Sequence, residues 1–149
     1  MTLGLIFLFI ILDQLTKYYA STTLVYGDKV LIENFLRLSY LENRGAAFGI
    51  LQEKQVLFIL VTALVVGVIC YYLPKLEKFS WNYWALVLIL SGTLGNFIDR
   101  IRLGYVIDFI SFRFKNYHFA VFNLADACIV LGSILLCLDI LFHEGETEL

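Results

Sequence analysis

Histidine, proline and charge are all scarce in this chain of 149 residues. It holds two histidines, one proline and three cysteines, and only 16% of its residues are charged. His118 and His143 stand far apart without ligand spacing, which argues against metal-dependent hydrolysis and against a serine–histidine pair. A Gly-x-Ser-x-Gly elbow and a phosphate-binding loop are absent. The formal net charge of −2 provides no basic patch for nucleic acid. Cys70, Cys128 and Cys137 lie inside apolar runs and read as small apolar residues. Their number and placement give neither a disulfide framework nor metal spacing. Pro74, the lone proline, ends an apolar run. There is no repeat, low-complexity tract or second domain, so residues 1–149 read as one domain.

What the chain has in excess is apolar surface. Hydrophobic residues make up 60% of it, with a mean hydropathy of +0.82, against about half in a soluble domain. Val56–Leu73 and Trp81–Ile98 are each long enough to span a bilayer. The second opens on an amphipathic belt, Trp81, Tyr83 and Trp84. Residues 121–142 are long enough but carry Asp126 and Asp139. The first run, Leu3–Leu12, is short; continued as helix to Ala20 it reaches roughly 27 Å, close to the hydrocarbon thickness. A cleaved secretory signal is the alternative for it. The missing basic n-region, and Asp13 and Lys17 where a cleavage site would follow, argue against that. The expectation is an α-helical integral membrane protein with four transmembrane helices near 3–20, 56–73, 81–98 and 121–142.

Four spans leave two larger segments, 21–55 and 99–120, on one side of the membrane. In the first, Leu36, Leu38 and Tyr40 alternate with Arg37 and Ser39, the period of a half-buried strand. Asn43-Arg44-Gly45 reads as a turn, followed by small and apolar Ala46-Ala47-Phe48-Gly49. Gly104–Ile110 supplies another extended stretch, so a small β-sheet lying on the membrane surface is expected. Basic residues concentrate on this side, at 17, 29, 37, 44 and 54 within residues 13–55 and at 100, 102, 113 and 115. A bare positive-inside count would therefore put them in the cytoplasm.

Helix 1 exits where helix 3 exits and where helix 4 enters, whatever the orientation. Asp13, Lys17, Asn96, Asp99, Arg100, Asn123 and Asp126 consequently share one face, and the large segments add Asn43, Arg44 and Asp108. Each has a plain reading. Asp13 and Lys17 are an i,i+4 ion pair. Asn123 can cap helix 4 with Asp126 in its first turn. Asp99-Arg100 can be a charged stop, and Gly92 and Gly95 can serve close helix packing. Taken together they suggest more. A charge at mid-bilayer costs about 2.5–3.5 kcal/mol, less near the interface, so several converging residues point to mutual pairing around a wet pocket.

With histidine, metal and serine chemistry set aside, carboxylates remain. Two aspartates sharing a water can hydrolyse an amide. One, ionised, takes a proton from water while the other, protonated, hydrogen-bonds the carbonyl. Which two of Asp13, Asp99, Asp108 and Asp126 would pair is open on this reasoning.

Five stretches, in order, carry a resemblance over essentially the whole chain. They are Asp13-Gln14-Leu15-Thr16-Lys17, Asn43-Arg44-Gly45-Ala46-Ala47-Phe48-Gly49, Gly95-Asn96-Phe97-Ile98-Asp99-Arg100, Val106-Ile107-Asp108-Phe109 and Phe122-Asn123-Leu124-Ala125-Asp126. Singly weak, together on four spans they resemble the bacterial lipoprotein signal peptidases (signal peptidase II). The resemblance implies an aspartic endopeptidase without cofactor or metal. It would remove the signal peptide of prolipoproteins just before a diacylglyceryl-modified cysteine. It assigns Asp108 and Asp126 as the catalytic dyad. The helix 4 N-terminus favours an ionised Asp126, leaving the shared proton on Asp108. Asn43 and Arg100 would hold the substrate main chain, while Asn96 and Asn123 orient the dyad. Asp13, Lys17, Asp99 and Gly45 would support them from behind. The resemblance further implies a monomer in the bacterial cytoplasmic membrane, termini in the cytoplasm and the site facing outward, which displaces the charge count. It also implies a sheet cradling the substrate at the lipid surface and inhibition by globomycin.

Two other classes compete. Intramembrane carboxylates also mark ion carriers, but the polar residues occupy one face and helix 2 adds none. A non-catalytic lipid- or peptide-binding scaffold would tolerate Asp→Asn at 108 or 126.

Overall fold

The computed structural model describes residues 2–45, 54–115 and 117–143. Four helices carry the architecture: α1 Thr2–Thr23, α2 Gln55–Tyr72, α3 Trp81–Leu103 and α4 Leu124–His143. All four are long and apolar enough to cross a membrane. Between them lie four strands: β1 Lys29–Ile32, β2 Leu36–Asn43, β3 Val106–Phe114 and β4 Tyr117–His118. They form one antiparallel sheet in the order β1-β2-β3-β4. The expected four-helix membrane fold with a small sheet is thus present. The stretch Ala46-Ala47-Phe48-Gly49 and the acidic C-terminal residues 144–149 lie outside the described residues.

The helices are inside-out relative to a soluble bundle. On α1, Leu3, Phe7, Ile11 and Leu15 face outward, whereas Ile6, Asp13, Lys17 and Ala20 are buried. The buried positions recur at three-, four- and seven-residue spacing, one stripe of a 3.6-period helix. Lipid can solvate the apolar side but not the ionised one, so the polar stripe turns inward. The ten-residue apolar run at the N-terminus therefore understates the span.

Helix α3 is the hub. Tyr83, Val87 and Leu90 pack with Ile6 of α1 and Ile69 of α2. Its start is capped by the Ser80 hydroxyl, which accepts from the Tyr83 N–H at 3.2 Å. Its end is set by Gly104 at φ 82°, a left-handed cap that glycine adopts without strain. The helix runs past Ile98 to Leu103, so Asp99 and Arg100 are helical rather than the first residues of a loop.

Helices α3 and α4 meet through glycine. A methyl group at Gly92 would sit 2.2 Å from the Ala125 carbonyl oxygen, and one at Gly132 would sit 2.6 Å from that of Ala85. Both neighbours are backbone, so neither can rotate away. Gly92→Ala should cost about 1–3 kcal/mol of stability. Thermal unfolding of the purified variant checks the figure.

Strand β3 lies between β2 and β4, and Ile107 and Phe109 pack on Ala20 and Leu24 at the end of the α1 segment. Its register with β2 pairs Leu41 with Asp108 and Asn43 with Val106. Asn43 and Asp108 are therefore diagonal neighbours on one face of the sheet.

Candidate active site

The polar residues of α1, α3, β3 and α4 converge in one network. At its base, Lys17 Nζ lies 2.8 Å from Asp13 Oδ2 and 3.0 Å from Asp99 Oδ2, all three side chains about 2% exposed. The same nitrogen donates to Asn96 Oδ1 at 2.9 Å. Each carboxylate then reaches a different element. Asp13 Oδ1 accepts from the Ala125 N–H at 2.9 Å, satisfying an otherwise orphaned donor in the first turn of α4. Asp99 Oδ2 accepts from the Ile107 N–H at 3.2 Å, tying β3 to α3. Two buried anions around one cation are tolerable because each has further hydrogen bonds.

Above this base, Asn123 joins the two upper carboxyls. Its Oδ1 accepts from the Asp126 N–H at 2.9 Å while Asp126 Oδ2 accepts from the Asn123 N–H at 3.2 Å. This reciprocal pair is a capping box at the start of α4. The Asn123 amide nitrogen donates to Asp108 Oδ1 at 2.7 Å, to Asn96 Oδ1 at 3.1 Å and to the Ile107 carbonyl at 3.3 Å. Asn96 Nδ2 donates to Asp126 Oδ1 at 2.7 Å. Asn43 Nδ2 donates to Asp108 Oδ2 at 2.8 Å, and Asn43 Oδ1 accepts from the Gly45 N–H at 3.0 Å. Asp108 is buried, at 1% exposure, whereas Asp126 keeps partial access. Burial, and then the neighbouring Asp126 charge, push the Asp108 carboxyl up to about 6, against the opposing hydrogen bonds from Asn43 and Asn123.

Asp108 and Asp126 both border a cavity of about 1070 Å³, with Asn43, Gly45, Asn96 and Arg100. The Arg100 guanidinium lies 4.8 Å over the Phe58 ring, and its carbonyl accepts from Gln55 Nε2 at 2.8 Å. The rest of the wall is apolar, from Phe112, Phe119 and Phe122 to Ile129, Val130 and Leu131. A pair of carboxyls, one buried and one partly open, beside a long greasy trough can activate water against a bond in an amphiphilic chain. Asp13, Lys17 and Asp99 stay beneath, away from the cavity wall. No group of three or more potential metal ligands occurs among the described residues.

Three contributors escape the sequence reading. Gln14 donates to Asp99 Oδ1 at 3.0 Å and to the Gly95 carbonyl at 3.2 Å, and accepts from Arg102 at 3.2 Å. Gln55 brings α2 into the arrangement, against the expectation that helix 2 adds nothing polar to this face. The Ile107 N–H is a backbone group. Gln14 stands inside the Asp13–Lys17 motif, a signal that could have found it; Gln55 carries none.

Fold and site together define a multi-pass membrane enzyme of hydrolytic type. A family model described as "Signal peptidase (SPase) II" matches residues 5–142. The lipoprotein signal peptidase of Caldanaerobacter subterraneus subsp. tengcongensis is 47% identical over 91% of this chain and 92% of its own length. That of Clostridium tetani is 46% identical over 99% of this chain and 97% of its own. A solved bacterial membrane enzyme, 31% identical, superposes with a TM-score of 0.89 over 99% of this chain and 92% of its own. The chain belongs to the signal peptidase II family, the A8 aspartic peptidases.

Proposed function

We propose that the protein cleaves the signal peptide from prolipoproteins immediately before a diacylglyceryl-modified cysteine, with Asp108 and Asp126 as catalytic dyad. The observation that carries this is the pair of carboxyls bridged by Asn123, through its amide to Asp108 and its backbone N–H to Asp126, at the edge of a cavity whose other wall is apolar. Asp126, in the first turn of α4 and partly open, takes the proton of the attacking water; Asp108, protonated, donates to the scissile carbonyl. The tetrahedral intermediate then collapses as the proton passes to the leaving amine. Asn43 and Arg100 hold the peptide main chain, Asn43 while braced by Gly45; Asn96 and Asn123 aim the dyad. Asp13, Lys17 and Asp99 fix the helix ends beneath.

The trough suits a substrate whose acyl chains stay in lipid while its peptide bond meets water. In this reading the termini are cytoplasmic, and the sheet and site face outward. The protein acts as a monomer, and globomycin-type molecules occupy the dyad. The test is a pair of prolipoproteins, with and without the diacylglyceryl group, given to purified protein in vesicles. Cleavage of the modified one alone, on the amino side of the cysteine, is the expected result. Equal cleavage of both would remove the lipid from the recognition, and cleavage of neither would remove the function.

A further inference from the structure

Lys17 lies one turn beyond Asp13 on the buried stripe of α1 and is not among the residues that line the cavity, yet two routes lead from it to the two upper carboxyls. An ammonium group can only donate. Because Lys17 Nζ sits 2.9 Å from one side of the Asn96 amide, that side must be the oxygen. The Asn123 amide nitrogen, 3.1 Å away, demands the same. The Asn96 NH₂ is then left facing Asp126 Oδ1 at 2.7 Å, the only orientation in which all three contacts pair a donor with an acceptor. The second route runs through Asp99, which binds Lys17 at 3.0 Å and holds the Ile107 N–H at 3.2 Å. Ile107 is the residue immediately before Asp108.

We propose that Lys17 is a positioning residue for the dyad: by claiming the Asn96 amide oxygen it aims the NH₂ at Asp126, designating Asp126 as the water-activating carboxylate. This rests on the dyad reading above. Burial of Asp108 and the place of Asp126 in the first turn of α4 already make the pair unequal, and a buried cation acting through an amide adds to that direction. The polarised NH₂ is a stronger donor than an unassisted amide, since linked hydrogen bonds strengthen one another. Without it, Asp126 Oδ1 would lose a donor at 2.7 Å. The other groups facing Asp126 are Asp108 from β3, Arg100 from α3, and Asn123 at the start of its own helix. Asp13 and Asp99 face Lys17 instead.

The experiment is the pH dependence of kcat and KM for prolipoprotein cleavage. It compares wild type, Asn96→Ala, and the double variant Asp13→Asn/Lys17→Met. Asn96→Ala cuts the relay while leaving both Lys17 ion pairs in place. The double variant removes the cation and one anion together, so the net charge of the base is kept. The expected result is a shift of the acid limb of the kcat profile to higher pH by about one unit in both, the scale of one hydrogen bond to a charged group. KM should stay within about twofold. A purely structural Lys17 would lower the melting temperature and the active fraction but leave the limb where it is. An unmoved acid limb in correctly folded Asn96→Ala, or in the double variant, therefore overturns the relay. Activity surviving in Asp108→Asn or Asp126→Asn would instead overturn the dyad, whatever the limb does.

Discussion

Asp108→Asn and Asp126→Asn should each lower the cleavage rate by at least about 10²- to 10⁴-fold, the scale of losing a positioned acid or base. Both variants should still fold and bind a substrate-like inhibitor, because the amide is nearly isosteric with the carboxyl. At 108 an amide can still accept from one of its two asparagine donors, Asn43 or Asn123. At 126 it can still accept from the Asn123 N–H, so the capping box survives in part. The two losses should not multiply. The double variant should be about as slow as either single one, because the carboxyls act as a unit. Single-turnover cleavage of a lipid-modified prolipoprotein, with inhibitor binding as the control for folding, reads all three. If either single variant cuts at close to the wild-type rate, the hydrolytic pair is misassigned, and Asp13 or Asp99 returns as a candidate.

Lys17→Met should destabilise the protein by about 3–5 kcal/mol, the range for breaking a buried ion pair by removing one partner. Lys17 is 1% exposed and serves Asp13, Asp99 and Asn96 at once. Without it, two carboxylates remain buried within one small region and repel one another. Methionine fills the volume of the lysine stem, so the effect should come from charge rather than from a cavity. Asp13→Asn added to Lys17→Met should restore part of the loss, since it removes one of the stranded anions. Its oxygen can still accept from the Ala125 N–H. Unfolding of the purified variants in detergent micelles measures the series. A loss below about 1 kcal/mol, the scale of a solvated surface pair, would mean that water reaches the base of the site.

The parts of this molecule that were legible in sequence are those where one residue type has few uses. An ionised or amide side chain in an apolar run needs a partner, so Asp13, Lys17, Asn96, Asp99 and Asp126 announced themselves. Counting spans then put them on one face. The alternation at Leu36–Tyr40 gave β2, because a half-buried strand imposes period two. The end of α3 was misjudged by hydropathy alone. Asp99 and Arg100 look like a stop, but both find partners inside the protein, and the helix continues until Gly104 turns it. Cross-element pairings stayed out of reach. Nothing in the residues of β3 says that the Ile107 N–H meets Asp99. Nor does anything in α1 say that Asp13 caps α4, since backbone donors are the same at every position. Gln55 stayed hidden for a related reason: its partner is a carbonyl.

The trough beside the two carboxyls shares part of its wall with the outer surface of the bundle. Val130 and Leu131 line it and are each 56% exposed. A membrane would therefore run into the site without a step between them. For a substrate anchored in the same bilayer, encounter becomes a two-dimensional search, and the concentration that matters is its mole fraction in the lipid. Diluting the vesicles in buffer would leave the rate per enzyme unchanged, whereas adding inert lipid at constant substrate would slow it. Occupancy would then depend on the composition of the surrounding membrane as much as on the fit of any ligand to the protein.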